Sequence, residues 1–456
     1  MQLIAHGELS HAARMLKTVD LTLSIETILA QLTNTDLRPR RLLCPIPDDI
    51  LNYHPDVDVE LDRNRFLTNL RNARRGLSPS LSGGRNEHYK VVMDDEHIMG
   101  DLYTIASRLA CGNVPRQIGE ALRMCKLTAL PKSNGKIRGL NAGDTFRRLV
   151  AKTLAQQYEE EFRNATSPFN FGMAVHSGVD AVIHCLRTLS SQFPNGVITK
   201  IDGVGAFDHI LRARMLSKLR SLPTAHRLLP FVLLSYGSPS TYLWRDAAGA
   251  VYSIPQGEGG EQGDPLMPAL FCLGLHDALA QAQSSLQEGE YLFAYLDDIY
   301  LFTSRERARP AYDAVSSAIR DLAGIDVNQG KTEAWSKNAQ PAPPAIATLN
   351  SPDPNVPPVW KSDLSIEQQG LVILGSPLGS PEFIRAQCQK RLQEEEDLWN
   401  SIITLPSLQS AWVLLLFCGA PRANHVFRTV PPFYLHDYAV LSSGQCRNFC
   451  SFLLNA

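Results

Sequence analysis

The sequence predicts an α+β protein in which a small antiparallel sheet lies between two mainly helical regions. Three observations carry this. Residues 291–302 read Tyr-Leu-Phe-Ala-Tyr-Leu-Asp-Asp-Ile-Tyr-Leu-Phe, two short apolar runs around an acid pair. That pattern fits a buried β-hairpin with Asp297 and Asp298 at its turn. Val197 to Ile201 suits another short strand, with Asp202 at its end. Long stretches on either side, 61–195 and 381–456, read mainly as helices.

Taken in order, residues 1–60 carry one or two amphipathic helices, then a proline-marked segment from Pro45 to Pro55; no function is assigned to them. Residues 61–195 are helical apart from a hairpin containing Lys132 and Arg138. Residues 196–380 hold strands at 197–202, 291–296, 299–303 and 371–376. Tyr242 to Ile254 alternates well enough for a hairpin turning at Ala247-Ala248-Gly249. Asp264 followed by Pro265 reads as an N-cap and first-turn proline. Leu266, Met267, Leu270, Phe271 and Leu273 then repeat at helical spacing. The preceding Gln256-Gly257-Glu258-Gly259-Gly260-Glu261 reads as a flexible approach. Residues 341–358 contain seven prolines, which predicts a stiff exposed linker. Residues 381–456 form helices, and the apolar end at Phe452 to Ala456 has no helix stop, as expected of a truncated unit.

Composition bounds the function more loosely. The chain has 456 residues, 44% hydrophobic and 20% charged, enough for two or three subdomains with a real core. A net charge of −2 is unusual for a nucleic-acid binder. Its distribution is uneven, however. Arg63, Arg65, Arg71, Arg74, Arg75, Arg85 and Lys90 form one basic segment; Arg138, Arg147, Arg148 and Lys152 form another. A local basic groove can hold phosphates without a basic total. Glu394 to Asp397 is an acidic run, read as a solvated helix face facing away from that groove. The 9 cysteines form no dense even framework, which favours thiols in a reducing compartment. The spacing of His425, His436, Cys446 and Cys450 fits no common zinc finger. No secretory signal or membrane span is seen, so the expected location is intracellular, nuclear or cytoplasmic, with no membrane partner.

The chemistry gathers at the acids. Two like charges held at a turn by a dry scaffold repel each other and lose hydration. A divalent cation relieves both problems, and oxygen ligands favour Mg²⁺ or Mn²⁺. Asp202 on one strand and Asp297/Asp298 on a neighbouring hairpin could supply the converging carboxylates of two-metal phosphoryl transfer, with ions about 4 Å apart. Gly203 and Gly205 would let the backbone come close to a ligand. The plainer readings are an exposed acidic turn at Asp297 and Asp298, and a turn cap at Asp202.

Three segments in this order resemble motifs A, B and C of reverse transcriptases. Tyr295 to Asp298 matches Tyr-x-Asp-Asp. Gln262, Gly263, Pro265 and Pro268 match Gln-Gly-x-Pro-x-x-Pro. Asp202, Ala206, Phe207 and Asp208 match the Asp-x-x-x-Ala-Phe-Asp of the LINE-like, non-LTR retroelement branch. Leu130-Pro131-Lys132 with Gly135-Lys136-Ile137-Arg138 resembles a finger segment, departing from it in Gly139-Leu140. Phe146 to Lys152 resembles the following finger helix. Gly324 to Asn328 with Gly330-Lys331-Thr332 resembles motif D, and Leu374 to Gly379 resembles motif E.

The resemblance implies a right-hand polymerase: helical fingers at 61–195, an antiparallel palm at 196–380 and a helical, incomplete thumb at 381–456. The reverse transcriptase core would cover about 120–380. It implies an RNA-directed DNA polymerase that adds dNTPs to a primer 3′ end on an RNA or DNA template, using two Mg²⁺ ions for which Mn²⁺ can substitute. Asp202, Asp297 and Asp298 would hold the metals with the Gly203 carbonyl. Lys132 and Arg138 would hold the triphosphate, and Gln262 with Gly263 would meet the incoming nucleotide. Lys331 would sit near the pyrophosphate as a proton donor, and Leu374 and Gly375 would grip the primer. Phe207 would be a steric gate against a 2′-hydroxyl, a repulsive specificity element. Two rivals are an RNA-dependent RNA polymerase, disfavoured by Phe207 and Tyr295, and a non-catalytic nucleic-acid-binding relic, disfavoured by the intact acids.

Overall fold

The computed structural model describes residues 2–5, 7–16, 23–34, 42–77, 79–131, 136–338 and 341–455. Among the described residues, ten strands form three sheets. They are β1 (Met124–Pro131), β2 (Ile137–Ala142), β3 (Val197–Ile201), β4 (Ser240–Arg245), β5 (Val251–Gln256), β6 (Tyr291–Tyr295), β7 (Asp298–Thr303), β8 (Glu333–Ser336), β9 (Gly370–Ile373) and β10 (Ser376–Gly379).

The central sheet has the order β6-β7-β3-β8 and is antiparallel throughout. Ile201 pairs with Ile299, and Tyr295 pairs with Asp298. That register brings the end of β3 beside the turn of the β6–β7 hairpin. Both faces of β3 and β7 are covered, which is why they read as continuous apolar runs rather than alternating ones. One face meets helices Met267–Ser284 and Ala308–Ala318 in the main core. Val182, Ile183 and Leu186 of helix Gly178–Gln192 cover Ile198, Tyr300 and Phe302 on the other.

The second sheet has the order β2-β1-β4-β5. The expected hairpin around Arg138 and the expected turn at Gly249 are both present, Gly249 with φ 92°. The parallel pairing of β1 with β4 joins them, and no local pattern announces it. Ile28 and Leu32 of helix Ile25–Thr33 pack on this sheet, and Gln31 accepts the Ile137 N–H at 2.8 Å. Ala12 and Ala13, earlier in the chain, pack instead on Leu398, Trp399 and Leu414 near the C-terminus.

Helices before and after the central sheet start where side chains cap them. Asp62, Asp95 and Asp144 cap Arg63–Arg71, Glu96–Ala110 and Thr145–Gln157. Ser380 caps the long helix Pro381–Ile403, with proline in its first turn.

Four expectations change. The strand predicted at 371–376 is a hairpin, β9–β10, whose tip residues Leu374 and Gly375 take φ 46° and 82°. The proline-rich 341–358 segment is not simply an exposed linker. Ile346 and Leu349 are buried in the main core, and the Ala334 N–H donates to the Val359 carbonyl at 2.8 Å. Prolines stiffened that segment, but its apolar residues anchored it. The acidic run is also mixed: Glu395 is buried and bonded to Arg391 Nε at 3.2 Å, while Glu394, Glu396 and Asp397 are exposed. Asp264 is not the cap of the long central helix, which begins at Met267; it caps the turn before it, accepting the Leu266 N–H at 2.9 Å.

No helix among the described residues is long and apolar enough to cross a membrane. Eight of the nine cysteines have described side chains, and none of these eight forms a disulfide.

Candidate active site

Leu296 and Asp297 are the two turn residues between β6 and β7, because Tyr295 and Asp298 pair directly. Leu296 takes φ 54°, a left-handed value that two-residue hairpins normally give to glycine. Asp297 projects from the tip, and Asp298 opens β7. Asp202 follows β3 and is half-buried. Its main-chain carbonyl accepts the Asn328 N–H at 2.8 Å, which ties β3 to the segment before Lys331.

The three carboxylates act on one another. Asp297 remains accessible to water, but it lies in a recess crowded by protein. Partial desolvation and the charge of Asp202 hold its carboxyl above the usual range, while a backbone hydrogen bond, Arg138 and Lys331 oppose the rise. Burial also raises Asp298, and Asp297 and Asp202 add to it, against Lys200 and Lys331. Lys331 Nζ meets Asp202 Oδ2 at 3.0 Å. Thus β2 of the second sheet brings Arg138, exposed, within electrostatic reach of the acids.

No three or more His, Cys, Asp or Glu side chains among the described residues are preassembled as a metal cage. The chemistry of the cluster nevertheless fits a hard cation. Its donors are all oxygens, burial and neighbouring acid charge hold the Asp297 and Asp298 carboxyls above their usual range, and an ammonium already stands on Asp202. Asp202, Asp297 and Asp298 are the residues that could hold such a cation.

Phe207 lies five residues past Asp202 in the short helix Ala206–His209, half-buried. Its ring stacks on Phe271, with centroids 4.4 Å apart and planes 10° apart. Gln262 is exposed at the start of the turn. Gly263 fits closely against β2: its N–H donates to the Asn141 carbonyl at 3.1 Å, and an added Cβ would come 2.5 Å from that oxygen. Gly203 approaches the chain itself, since a Cβ there would meet Ile325 at 2.8 Å. Leu374 donates its N–H to the Tyr300 hydroxyl at 3.3 Å, and its carbonyl lies 3.1 Å from His425 Nε2. Tyr300 is on the same strand as Asp298, so the β9–β10 tip is tied to the acid hairpin. Lys132 lies outside the described residues.

The glycine-rich approach is not flexible. Gln256 to Glu261 is buried throughout. Gln256 Nε2 donates to the Asp208 and Glu258 carbonyls. The Gly259 and Gly260 N–H groups donate to the Ile210 and Phe207 carbonyls, both at 2.9 Å. Gly259 has φ 71°, and a Cβ there would lie 2.4 Å from the Asp208 backbone. Here glycine provides close packing rather than mobility. Two buried arginines hold the loop. Arg212 donates to the Gly259 and Ser238 carbonyls and to the Ser240 hydroxyl, and Glu258 accepts its N–H at 2.7 Å. Arg147 is paired with Glu261 and donates to Ser235. Arg147 is therefore a structural ion pair and not part of a phosphate groove. Helical spacing alone could not separate it from Arg148, one residue later, which lines a cleft.

That cleft, about 210 Å³, has Arg74, Arg85, Arg148 and Lys152 on its walls, with Asn72 and Thr145. It joins the two basic segments expected from sequence. Asn170 was not foreseen. It is buried and bonds the acid turn directly, with Oδ1 3.2 Å from the Leu296 nitrogen. A lone asparagine between Phe169 and Phe171 carries no pattern that would mark it.

Among known proteins, the chain is 22% identical over 371 residues to the retrotransposable element SLACS 132 kDa protein of Trypanosoma brucei gambiense. That match covers 81% of this chain and 29% of the relative, so the chain spans under a third of the relative's length. Among solved structures, it is similar to apo telomerase from Candida tropicalis, with TM-score 0.43, 12% identity and coverage of 78% of this chain and 68% of that one. Telomerase from Candida albicans in complex with a TWJ fragment of telomeric RNA gives TM-score 0.39 and 12% identity, covering 76% and 62%. The family model described as reverse transcriptase (RNA-dependent DNA polymerase) matches residues 130–376, more than half of the chain. The chain belongs to the reverse transcriptase family.

Proposed function

We propose that this chain is an RNA-directed DNA polymerase that extends a primer 3′ end with dNTPs. The observation that carries it is the register that sets Asp202, at the end of β3, beside the turn bearing Asp297 and Asp298, with Lys331 on Asp202 and Arg138 within electrostatic reach of Asp297. In this reading the central sheet is the palm. The β1–β2 hairpin and the helices around it are the fingers, and the helices after β10 are the thumb.

Phosphoryl transfer of this kind is mainly positioning and charge neutralisation. Two divalent ions, when bound, supply the acidity that activates a 3′-hydroxyl and the charge that steadies a leaving pyrophosphate. Asp202 and Asp297 would hold them, Asp298 would assist, and the Gly203 carbonyl would add a ligand. Arg138 would meet triphosphate oxygens, for which its guanidinium fork is suited. Lys132 has the same role in this proposal. Lys331 would exchange Asp202 for the pyrophosphate side and donate a proton there. Phe207, its plane fixed by Phe271, would limit the space under the sugar. Gln262 would touch the nucleotide. The Leu374-Gly375 tip would bear on the primer. The basic cleft would track template phosphates.

The test is primer extension on an RNA template with Mg²⁺ and dNTPs, comparing wild type with Asp297→Asn. The expected outcome is extension by the wild type and none by the variant, with template–primer binding retained. Loss of binding in the variant, or equal extension by both, would reject the assignment.

A further inference from the structure

The acid turn is not held by its own hairpin alone. Residues 169–172 run along the outer edge of β6. Phe171 donates its N–H to the Ala294 carbonyl at 2.8 Å, and Ala294 donates to the Phe169 carbonyl at 2.9 Å. Asn170 lies opposite Ala294 in a parallel bridge. This strap thus has a fixed register against the strand that carries the turn.

From that register the Asn170 side chain meets both main-chain polar groups of Leu296. Its Oδ1 accepts the Leu296 N–H at 3.2 Å and the Gly172 N–H at 2.9 Å; its Nδ2 faces the Leu296 carbonyl at 3.4 Å. The side chain is 4% exposed, so water competes poorly for these bonds. Leu296 is the residue with φ 54°, a conformation that side chains with a Cβ seldom adopt. A second feature fits the same turn: a Cβ on Gly172 would lie 2.9 Å from the Leu296 nitrogen.

We propose that Asn170 is a positioning residue that holds Leu296 in its left-handed conformation, so that Asp297 projects toward Asp202. A carboxamide suits this work because it offers an acceptor and a donor on one planar group. Aspartate keeps the acceptor and loses the donor, and alanine loses both. The kinetic consequence rests on the polymerase reading above; the conformational one does not.

The experiment uses the full chain and three variants: Asn170→Ala, Asn170→Asp and Asn170→Ala/Leu296→Gly. Hydrogen exchange at the Leu296 amide should speed up at least tenfold in Asn170→Ala, while β3 keeps its protection. In primer extension, kcat should fall at least tenfold, with KM for dNTP within twofold. The added Leu296→Gly should recover at least threefold of kcat, because glycine adopts positive φ without help. Asn170→Asp, closest in shape, should show the same loss in direction and covers the case in which alanine fails to fold. Unchanged exchange at Leu296 would overturn the proposal. So would a kcat loss matched by a general loss of stability, with no recovery from glycine. A wild type that extends no primer would sink the polymerase reading, and the exchange measurement would still decide Asn170.

Discussion

Asp297 faces opposing demands: the scaffold partly strips it of water and sets it near Asp202, yet its charge is what would bind an ion. Its native pKa lies above the unfolded value, so the folded state binds more protons between those two values. Stability therefore falls as pH rises through that window. At pH 7, without divalent ions, Asp297→Asn should raise Tm slightly, by about 1 °C, since water still screens the group. The same substitution should remove the Tm increase that Mg²⁺ gives the wild type. Differential scanning fluorimetry with and without Mg²⁺ measures both signs. If the variant kept the full Mg²⁺ increment, Asp297 would not be a ligand. Phe207 poses a different question, because its ring is packed on Phe271 and it follows Asp202 by five residues in the chain. Phe207→Ala should admit rNTPs, lowering dNTP over rNTP discrimination by roughly tenfold or more. The ratio of incorporation rates is the measurement, since general loss of packing cancels in it. An unchanged ratio would leave Phe207 as a core residue only.

At the scale of elements, the loop before the Met267–Ser284 helix depends on buried charge. The Arg147 and Glu261 side chains are 2% and 0% exposed, so each relies on the other for neutralisation. Tyr236 donates to Asp264 Oδ2 at 2.7 Å close by, which makes the region a connected polar network. Removing one partner strands a charge in a dry interior. Glu261→Ala should cost about 3–5 kcal/mol of unfolding free energy, read from urea denaturation. The double replacement Arg147→Met/Glu261→Leu should cost much less. A Glu261→Ala change below about 1 kcal/mol would mean that water or another group compensates Arg147. The ion pair joins helix Thr145–Gln157 to the loop, so its loss should also loosen the Gly263 contact with β2.

Across the whole molecule, a net charge of −2 coexists with a cleft walled by Arg74, Arg85, Arg148 and Lys152. Pairing inside the protein removes some basic residues from the surface count: Arg147 and Arg212 are buried. Template binding should weaken steeply with salt, as counterions are released. Lys152→Ala should weaken binding similarly across sequences and reduce the log–log salt slope by about one. Fluorescence anisotropy over a salt series measures this. A wild-type slope near zero would exclude the cleft as a phosphate track.

Local sequence was enough for the family and for the strands on which Asp202, Asp297 and Asp298 stand. Apolar runs of strand length and the Asp-Asp turn are local signals, and local chain geometry converts them directly into a hairpin. Tertiary structure decided what the same residue types do in different places. Arg147 and Arg148 are neighbours in sequence, yet one neutralises Glu261 and the other lines a cleft. Gly259 and Gly260 suggest mobility because glycine is permissive, but contact with the Asp208 backbone and with Met267 makes them a packed joint. The prolines at 341–358 predicted stiffness, and burial of Ile346 and Leu349 fixed where that stiffness lies. Asn170 and the parallel pairing of β1 with β4 depend on residues far apart in the chain. Burial and hydrogen-bond partners are properties of the packed whole, and no window of sequence contains them.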